Sequence, residues 1–303
     1  MSELKKITAI ILTYKTPKNI ILNCLKSINR GINIMIVENS KSFEHQKIIK
    51  KKFPKIKIFC TGKNLGYGKG NNFGLSKVKT NYAFILNPDV VCEKNFFKNL
   101  PRIIKNTQNF DIIGCQYSKD KIFVPAGFFD PKKNEEFKKE FLENKIEGLT
   151  KVEWVTGCSM LLNLKKIDKK DIFDKEFFLY FEEFDLCKSI INKGGFVYTS
   201  RDLKIHHLGF QSSMGKNSFE KKDAINIKNW HWMWSWFYFY KKNYNFLYAF
   251  IKLFGKLIKS FIKTIFYFVI AKEDQKNKYL YRFLGLFNSI IGRSSHYRGK
   301  KIN

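Results

Sequence analysis

The chain of 303 residues is short of acid and of arginine: 26 Asp and Glu stand against 56 Lys and Arg, and only six of the basic residues are Arg. The resulting formal charge of +30 has two readings. One is compositional, an AT-rich coding bias toward Lys, Asn, Ile and Phe. The other is attraction to something anionic: nucleic acid, nucleotide diphosphates or an acidic membrane. The six Cys are scattered, with no CxxC pair and no Cys/His cluster at zinc spacing. That excludes a zinc module or a disulfide framework and predicts reduced structural thiols. The first residues, MSELKKITAIILTY, hold no long apolar core and no small-residue cleavage site, so a cytosolic-facing protein is expected. Repeats and low-complexity linkers are lacking. What the chain has in quantity is apolar side chains, 44% of the total, enough for a packed core and too many for wholesale disorder.

Those apolar residues alternate in kind along the first part. Strands are predicted at 7–14, 32–39, 55–60 and 82–86, and helices at 17–30, 42–53 and from 68 to 78. Strand and helix in turn, with the strands apolar throughout, predict an α/β fold with a mostly parallel sheet covered on both faces. Ligands of such sheets bind at the carboxyl ends of the strands. Here those ends are Thr13-Tyr14, Glu38-Asn39, Asn64-Leu65-Gly66 and Asn87-Pro88-Asp89, which should share one rim. Further strands are expected at 111–117, 121–129 and 196–200, a loop or short surface helix at 134–148, and a helix that stops at Gly194-Gly195.

Four segments carry chemistry. In NLGYGKGNN (64–72) the glycines let backbone pass close to a ligand, with a helix N-terminus behind them. The stretch matches neither a dinucleotide fingerprint nor a phosphate loop, and such turns are often purely structural. In NPD, Asp89 suits a divalent cation that takes oxygen ligands, and Asn87 a sugar hydroxyl or a metal-bound water. Asn-Pro-Asp is also ordinary turn chemistry. YFEEFDL (180–186) sets three carboxylates among aromatics. Adjacent like charges in apolar surroundings raise a pKa, as a general base requires, although an acidic first helical turn is also what the macrodipole favours. Glu182 and Asp185 would share a helix face and Glu183 another. IHHLG (205–209) offers histidines after the last strand.

Taken in order, AIILTY, IMIVENS, NLGYGKGNNFGL, ILNPDVV, WVTGCSMLL, FFLYFEEFDLCKSIINKGG and IHHLGFQSS resemble glycosyltransferase family 2 of the GT-A fold, most of all its rhamnosyltransferase-like branch. The resemblance covers roughly residues 5–215 and extends more weakly to FYFYKKNY. It implies that Thr13 and Tyr14 touch the base and ribose of a nucleotide-diphosphate sugar, with Glu38 and Asn39 at the base. Asn64, Gly66, Tyr67, Asn71 and Asn87 would line the rest of the donor pocket. Asp89 would face a divalent metal, Mn²⁺ or Mg²⁺, with His206 completing its site. Trp154 and Gly157 would lie on the acceptor side. Glu183 would be the base, with Asp185 in reserve. The sequence departs from the family pattern at Lys15, where Asn is common, at Asn87 in place of the first Asp of an Asp-x-Asp motif, and in a Glu-Glu pair where Glu-Asp is usual.

After about residue 216 the composition shifts. Residues 216–303 carry 18 basic and 4 acidic side chains, with an aromatic belt at 229–240. In the apolar stretch 246–271, Lys252, Lys256, Lys259 and Lys263 form one stripe. The longest Lys-free run there is eight residues, too short to span a bilayer. A helix lying on an anionic membrane surface is expected; a helix packed on the domain with a solvated Lys stripe is the alternative. The expectation is therefore a GT-A domain over 1–215 and a basic, aromatic, helical membrane-associating extension over 216–303. The enzyme would transfer a sugar, rhamnose or another deoxyhexose, to a lipid-linked glycan acceptor. A non-catalytic nucleotide-sugar-binding protein is the alternative. Nucleic acid is not expected as a partner, because the strand-end rim carries Glu38 and Asp89.

Overall fold

A computed structural model of the chain describes residues 3–107, 109–117, 124–168, 170, 172–208 and 218–299. The boundary expected at 215, residues 209–213 of the last motif and 121–123 of an expected strand lie outside them. Two compact units emerge. One holds 1–65, 69–173 and 186–213; the other holds 66–68, 174–185 and 214–303.

The first unit is built on a nine-stranded sheet. β1 (Ile7–Thr13), β2 (Asn33–Glu38), β3 (Lys57–Cys60) and β4 (Tyr82–Leu86) run parallel in the order β3-β2-β1-β4. Beyond β4, β10 (Ser159–Asn163) runs antiparallel, and β6 (Ile112–Tyr117) and β11 (Val197–His207) return to the first direction. β5 (Val90–Cys92) and β8 (Leu149–Val152) pair antiparallel with β11. The sheet is thus mostly of one sense, with inverted strands inserted on one side. β7 (Ala126–Gly127) and β9 (Trp154–Val155) form a separate small pair.

Alternation along β1 shows why helices cover both faces. Ile7, Ala9 and Ile11 enter the main core with Ile21, Cys24 and Leu25 of α1 (Lys18–Ser27), Ile49 of α2 (Gln46–Lys52) and Phe96 and Leu100 of α4 (Phe96–Asn106). Ile10 and Leu12 point the other way, onto α3 (Tyr67–Leu75). There a Cβ at Gly70 would come 2.7 Å from Leu12. The segment expected as a loop or short helix is α5 (Pro131–Leu142), where the Asp130 carboxylate accepts from the Lys133 amide and Pro131 takes the first helical position. α6 (Glu182–Asn192) ends before Gly194, which has φ +78°.

The second unit contains α7 (Ser218–Asn243), α8 (Phe246–Val269) and α9 (Glu273–Ile290), packed around Met233, Phe237, Ala249, Leu253 and Leu286. Among the described residues no helix is long and apolar enough to cross a membrane.

Candidate active site

The strand-end rim of the first unit is a hydrogen-bonded strip. Thr13 lies opposite Glu38, and both are buried. The Glu38 carboxylate accepts from the Thr13 hydroxyl at 2.6 Å, from the Ser40 hydroxyl at 2.7 Å and from the Lys15 amide at 3.2 Å. Glu38 thereby holds Lys15 in a left-handed conformation, φ 51°, and shapes the turn that carries the half-buried Tyr14. Asn39 organises the next loop. Its side-chain oxygen accepts from the Leu65 amide (2.9 Å) and the Thr61 hydroxyl (3.1 Å), and its amide group donates to Asn64 (3.1 Å). Asn71 is fully buried in α3, and Asn72 beside it exchanges two hydrogen bonds with the Phe173 backbone.

At the end of β4 the chain turns at once. The Val90 amide donates to the Asn87 carbonyl at 3.1 Å, and the Asn87 amide donates to Cys158 O at 2.8 Å. This turn and the first residues of β5 set Asp89, 1% exposed, beside β11. The Asp89 Oδ1 lies 3.4 Å from His207 Nε2. His206, the histidine expected there, lies 3.3 Å from Glu93 instead. Neighbouring residues of a strand face opposite sides of the sheet, so only one of the pair can meet Asp89. The His207 ring stacks on Tyr117 at 5.9 Å, and the Tyr117 hydroxyl lies 3.1 Å from the Cys158 thiol and 3.3 Å from Thr156. Gly157 is buried in that same stretch. Trp154 is half-buried, with its indole N–H donating to Phe128 O. One carboxylate and one imidazole form a donor set that fits Mn²⁺ or Mg²⁺ completed by phosphate oxygens. Among the described residues no group of three or more His, Cys, Asp or Glu is placed to hold a metal ion.

The acidic segment belongs to the second unit. It follows two aromatic residues in the left-handed region, Tyr180 at φ 71° and Phe181 at φ 68°. A bulky residue there is strained, and two in succession persist only where the surroundings hold them. The holding groups come from α7. Trp232 packs on Tyr180 at 5.2 Å, and Trp232, Trp236 and Phe239 lie 5.4–6.1 Å from Phe181. The aromatic belt is therefore largely internal: Trp230, Trp234 and Phe237 are at most 2% exposed. The three carboxyls differ. Glu182 is buried, and burial first, then the charge of Glu183, raises its carboxyl well above the ordinary range. Asp185 accepts from Lys242 at 2.7 Å and Asn243 at 2.9 Å. Burial still pushes it upward against those partners, whereas Asp174, sharing Lys242 but less buried, is held low. Glu183 is half-exposed.

Gly66 and Tyr67 sit beside this segment, within the same unit. The Tyr67 amide donates to Phe178 O at 2.9 Å. Gly66 has φ +85°, and a Cβ there would come 2.3 Å from the same carbonyl. The glycines at 66 and 70, read in the sequence as room for a ligand, thus also answer to close packing of the chain itself.

A family model described as glycosyl transferase family 2 matches residues 8–169, more than half of the chain. The chain belongs to glycosyl transferase family 2. The GT-A fold implied by the sequence resemblance is the fold observed. Among solved structures, GalNAc-T7 with UDP, GalNAc and Mn²⁺ is similar at 11% identity and TM-score 0.53, over 86% of this chain and 58% of that one. S. aureus TarS is aligned at 14% identity and TM-score 0.47, over 74% and 39%. The family 2 chain thus spans less than two thirds of either structure's length. No curated protein matches it. Of the residues singled out in the sequence, the first unit brings Thr13 to Glu38 and Asn39 to Asn64. Of the two histidines of IHHLG, His207 is the one beside Asp89, whereas the resemblance had pointed to His206; the buried Glu182 belongs to the acidic cluster singled out in the sequence.

Proposed function

We propose that this family 2 enzyme transfers a sugar, rhamnose or another deoxyhexose, with inversion from a nucleotide-diphosphate donor to a hydroxyl of a lipid-linked glycan in surface polysaccharide biosynthesis. The observation that carries the reading is the buried Asp89 facing His207 at the strand-end rim, the chemistry a nucleoside diphosphate needs. Asp89 and His207 would hold a Mn²⁺ or Mg²⁺ ion, which when bound neutralises charge on the leaving diphosphate. In this reading Tyr14 and the Asn39–Asn64 loop bind the nucleoside, with Glu38 and Thr13 fixing the turn that carries Tyr14. Tyr67, Asn71 and Asn87 orient the diphosphate and sugar. Glu183 takes the proton of the acceptor hydroxyl. That oxygen forms a bond to the anomeric carbon while the carbon–oxygen bond to the diphosphate breaks, and the nucleoside diphosphate leaves with the electron pair. Asp185 stays tied to Lys242 and supports the helix.

Residues 1–215 carry this chemistry, and 216–303 bring it to an anionic membrane surface, the cytoplasmic face of the cell membrane. Thermal-shift and donor-hydrolysis measurements with UDP-, GDP- and dTDP-sugars and Mn²⁺ test the reading. One donor should raise the melting temperature and be turned over, and Asp89→Ala should abolish both effects. Hydrolysis by Asp89→Ala at the wild-type rate would overturn the reading.

A further inference from the structure

The outward face of α8 is apolar throughout. Leu247, Ile251, Phe254, Ile258, Ile262 and Ile265 recur at helical spacing and are 42–68% exposed. The helix has no acidic residue. Lys252, Lys256, Lys259 and Lys263 form a row about a third to nearly half a turn round the helix from the centre of this face. Lys256 leaves the row toward α7: its ammonium lies 4.8 Å over the Trp236 ring, and it makes no ion pair among the described residues. Trp236 is followed by Trp232 at 6.1 Å. Trp232 keeps 39% of its surface exposed, although its ring also meets Tyr180 and Phe181. Two residues past Phe181 stands Glu183.

Within the second unit, then, four chemistries follow one another: apolar face, unpaired cation, exposed indole, carboxylate. A glycan carried on a lipid diphosphate has a matching order of hydrocarbon, diphosphate, sugar ring and reacting hydroxyl. Hydrocarbon partitions onto the apolar face. An ammonium near a bilayer surface attracts phosphate. An indole offers a rigid apolar plate to the C–H face of a sugar. We infer that Lys256 and Trp232 form the acceptor subsite, Lys256 for the diphosphate of a lipid-linked glycan and Trp232 for its sugar, with the α8 face seated in the same leaflet. The inference rests on the transferase reading, since it takes Glu183 as the base, and it adds the side chains that receive the diphosphate and the sugar of the acceptor.

The test is flotation of the full chain with phosphatidylcholine vesicles containing either a few mole per cent of a polyprenyl-diphosphate-linked sugar or phosphatidylglycerol at matched surface charge. The diphosphate-linked sugar should be bound about tenfold more tightly than phosphatidylglycerol, and Lys256→Glu should remove that preference. Trp232→Ala should weaken binding of the diphosphate-linked sugar several-fold, and Trp232→Phe should restore most of it. Lys256 and Trp232 are both exposed; because Trp232 also packs on the Tyr180–Phe181 turn, circular dichroism and thermal unfolding verify that each variant keeps its fold. Equal binding to the two vesicle types, or a preference unchanged in Lys256→Glu, overturns the subsite. Donor hydrolysis by the wild-type protein, measured in the absence of vesicles, reports separately on the transferase reading.

Discussion

Glu182, Glu183 and Asp185 fall within four positions and meet three environments. Glu183, half-exposed after a strained turn, is the base in the proposed reaction. Glu183→Gln should lower kcat by about 10²–10⁴-fold with donor affinity and melting temperature unchanged. Asp185→Asn should act on stability, because it weakens the bonds from Lys242 and Asn243. Lys242 is partly exposed, so the cost is about 1–3 kcal/mol, below that of breaking a fully buried pair. A dead but fully stable Asp185→Asn would reverse the two assignments. Glu182 has its own signature. Its carboxyl is raised well above the ordinary 4.5, so the folded state keeps a proton that the unfolded state releases. That stabilisation is full below the unfolded value and is lost as pH rises through the folded one. Thermal unfolding of Glu182→Gln should match the wild type near the acid limit and exceed it increasingly at neutral and alkaline pH. Parallel curves across pH would contradict a buried protonated Glu182.

At the scale of elements, the alternating strands and helices of the first unit are legible because buried parallel strands are apolar along their whole length. β5 and β8 were not legible. Three or four residues carry too little pattern, and both exist because β11 offers them an edge. α7 falls within the helical extension expected from the sequence, but the packing of its Trp232, Trp236 and Phe239 on Phe181 was not legible there. The glycine loop makes a test at this scale. Gly66→Ala meets both an unfavourable φ of +85° and the Phe178 carbonyl at 2.3 Å. It should cost at least about 1–2 kcal/mol and weaken donor binding, read by thermal unfolding with and without the nucleotide sugar. A stable variant with full donor affinity would show that this loop does not shape the donor pocket.

At the scale of the whole molecule, the +30 charge acts through its distribution. The strand-end rim of the first unit buries Glu38 and Asp89, whereas α8 joins lysines to an open apolar face. Binding to anionic vesicles should therefore combine a screened term and an unscreened one. Raising salt from low to high concentration should weaken binding about tenfold or more and leave a residual plateau from the apolar face. Ile258→Asp should lower that plateau without altering the salt slope, as flotation across a salt series would show. Complete loss of binding at high salt in the wild type would assign the attraction to charge alone.

By itself the sequence determined the alternating α/β order, the glycosyl transferase motifs and the basic, aromatic character of the C-terminal part. Each of these is written in local pattern: apolar runs, turn residues, periodic lysines. Tertiary structure alone decided which of two adjacent histidines meets Asp89, because that depends on the register of β11 against β5. It also decided which of three clustered carboxyls is buried, which is salt-bridged and which is half-exposed. The partners of Asp185, Lys242 and Asn243, lie more than fifty positions away on α7, and no spacing within the YFEEFDL segment encodes them.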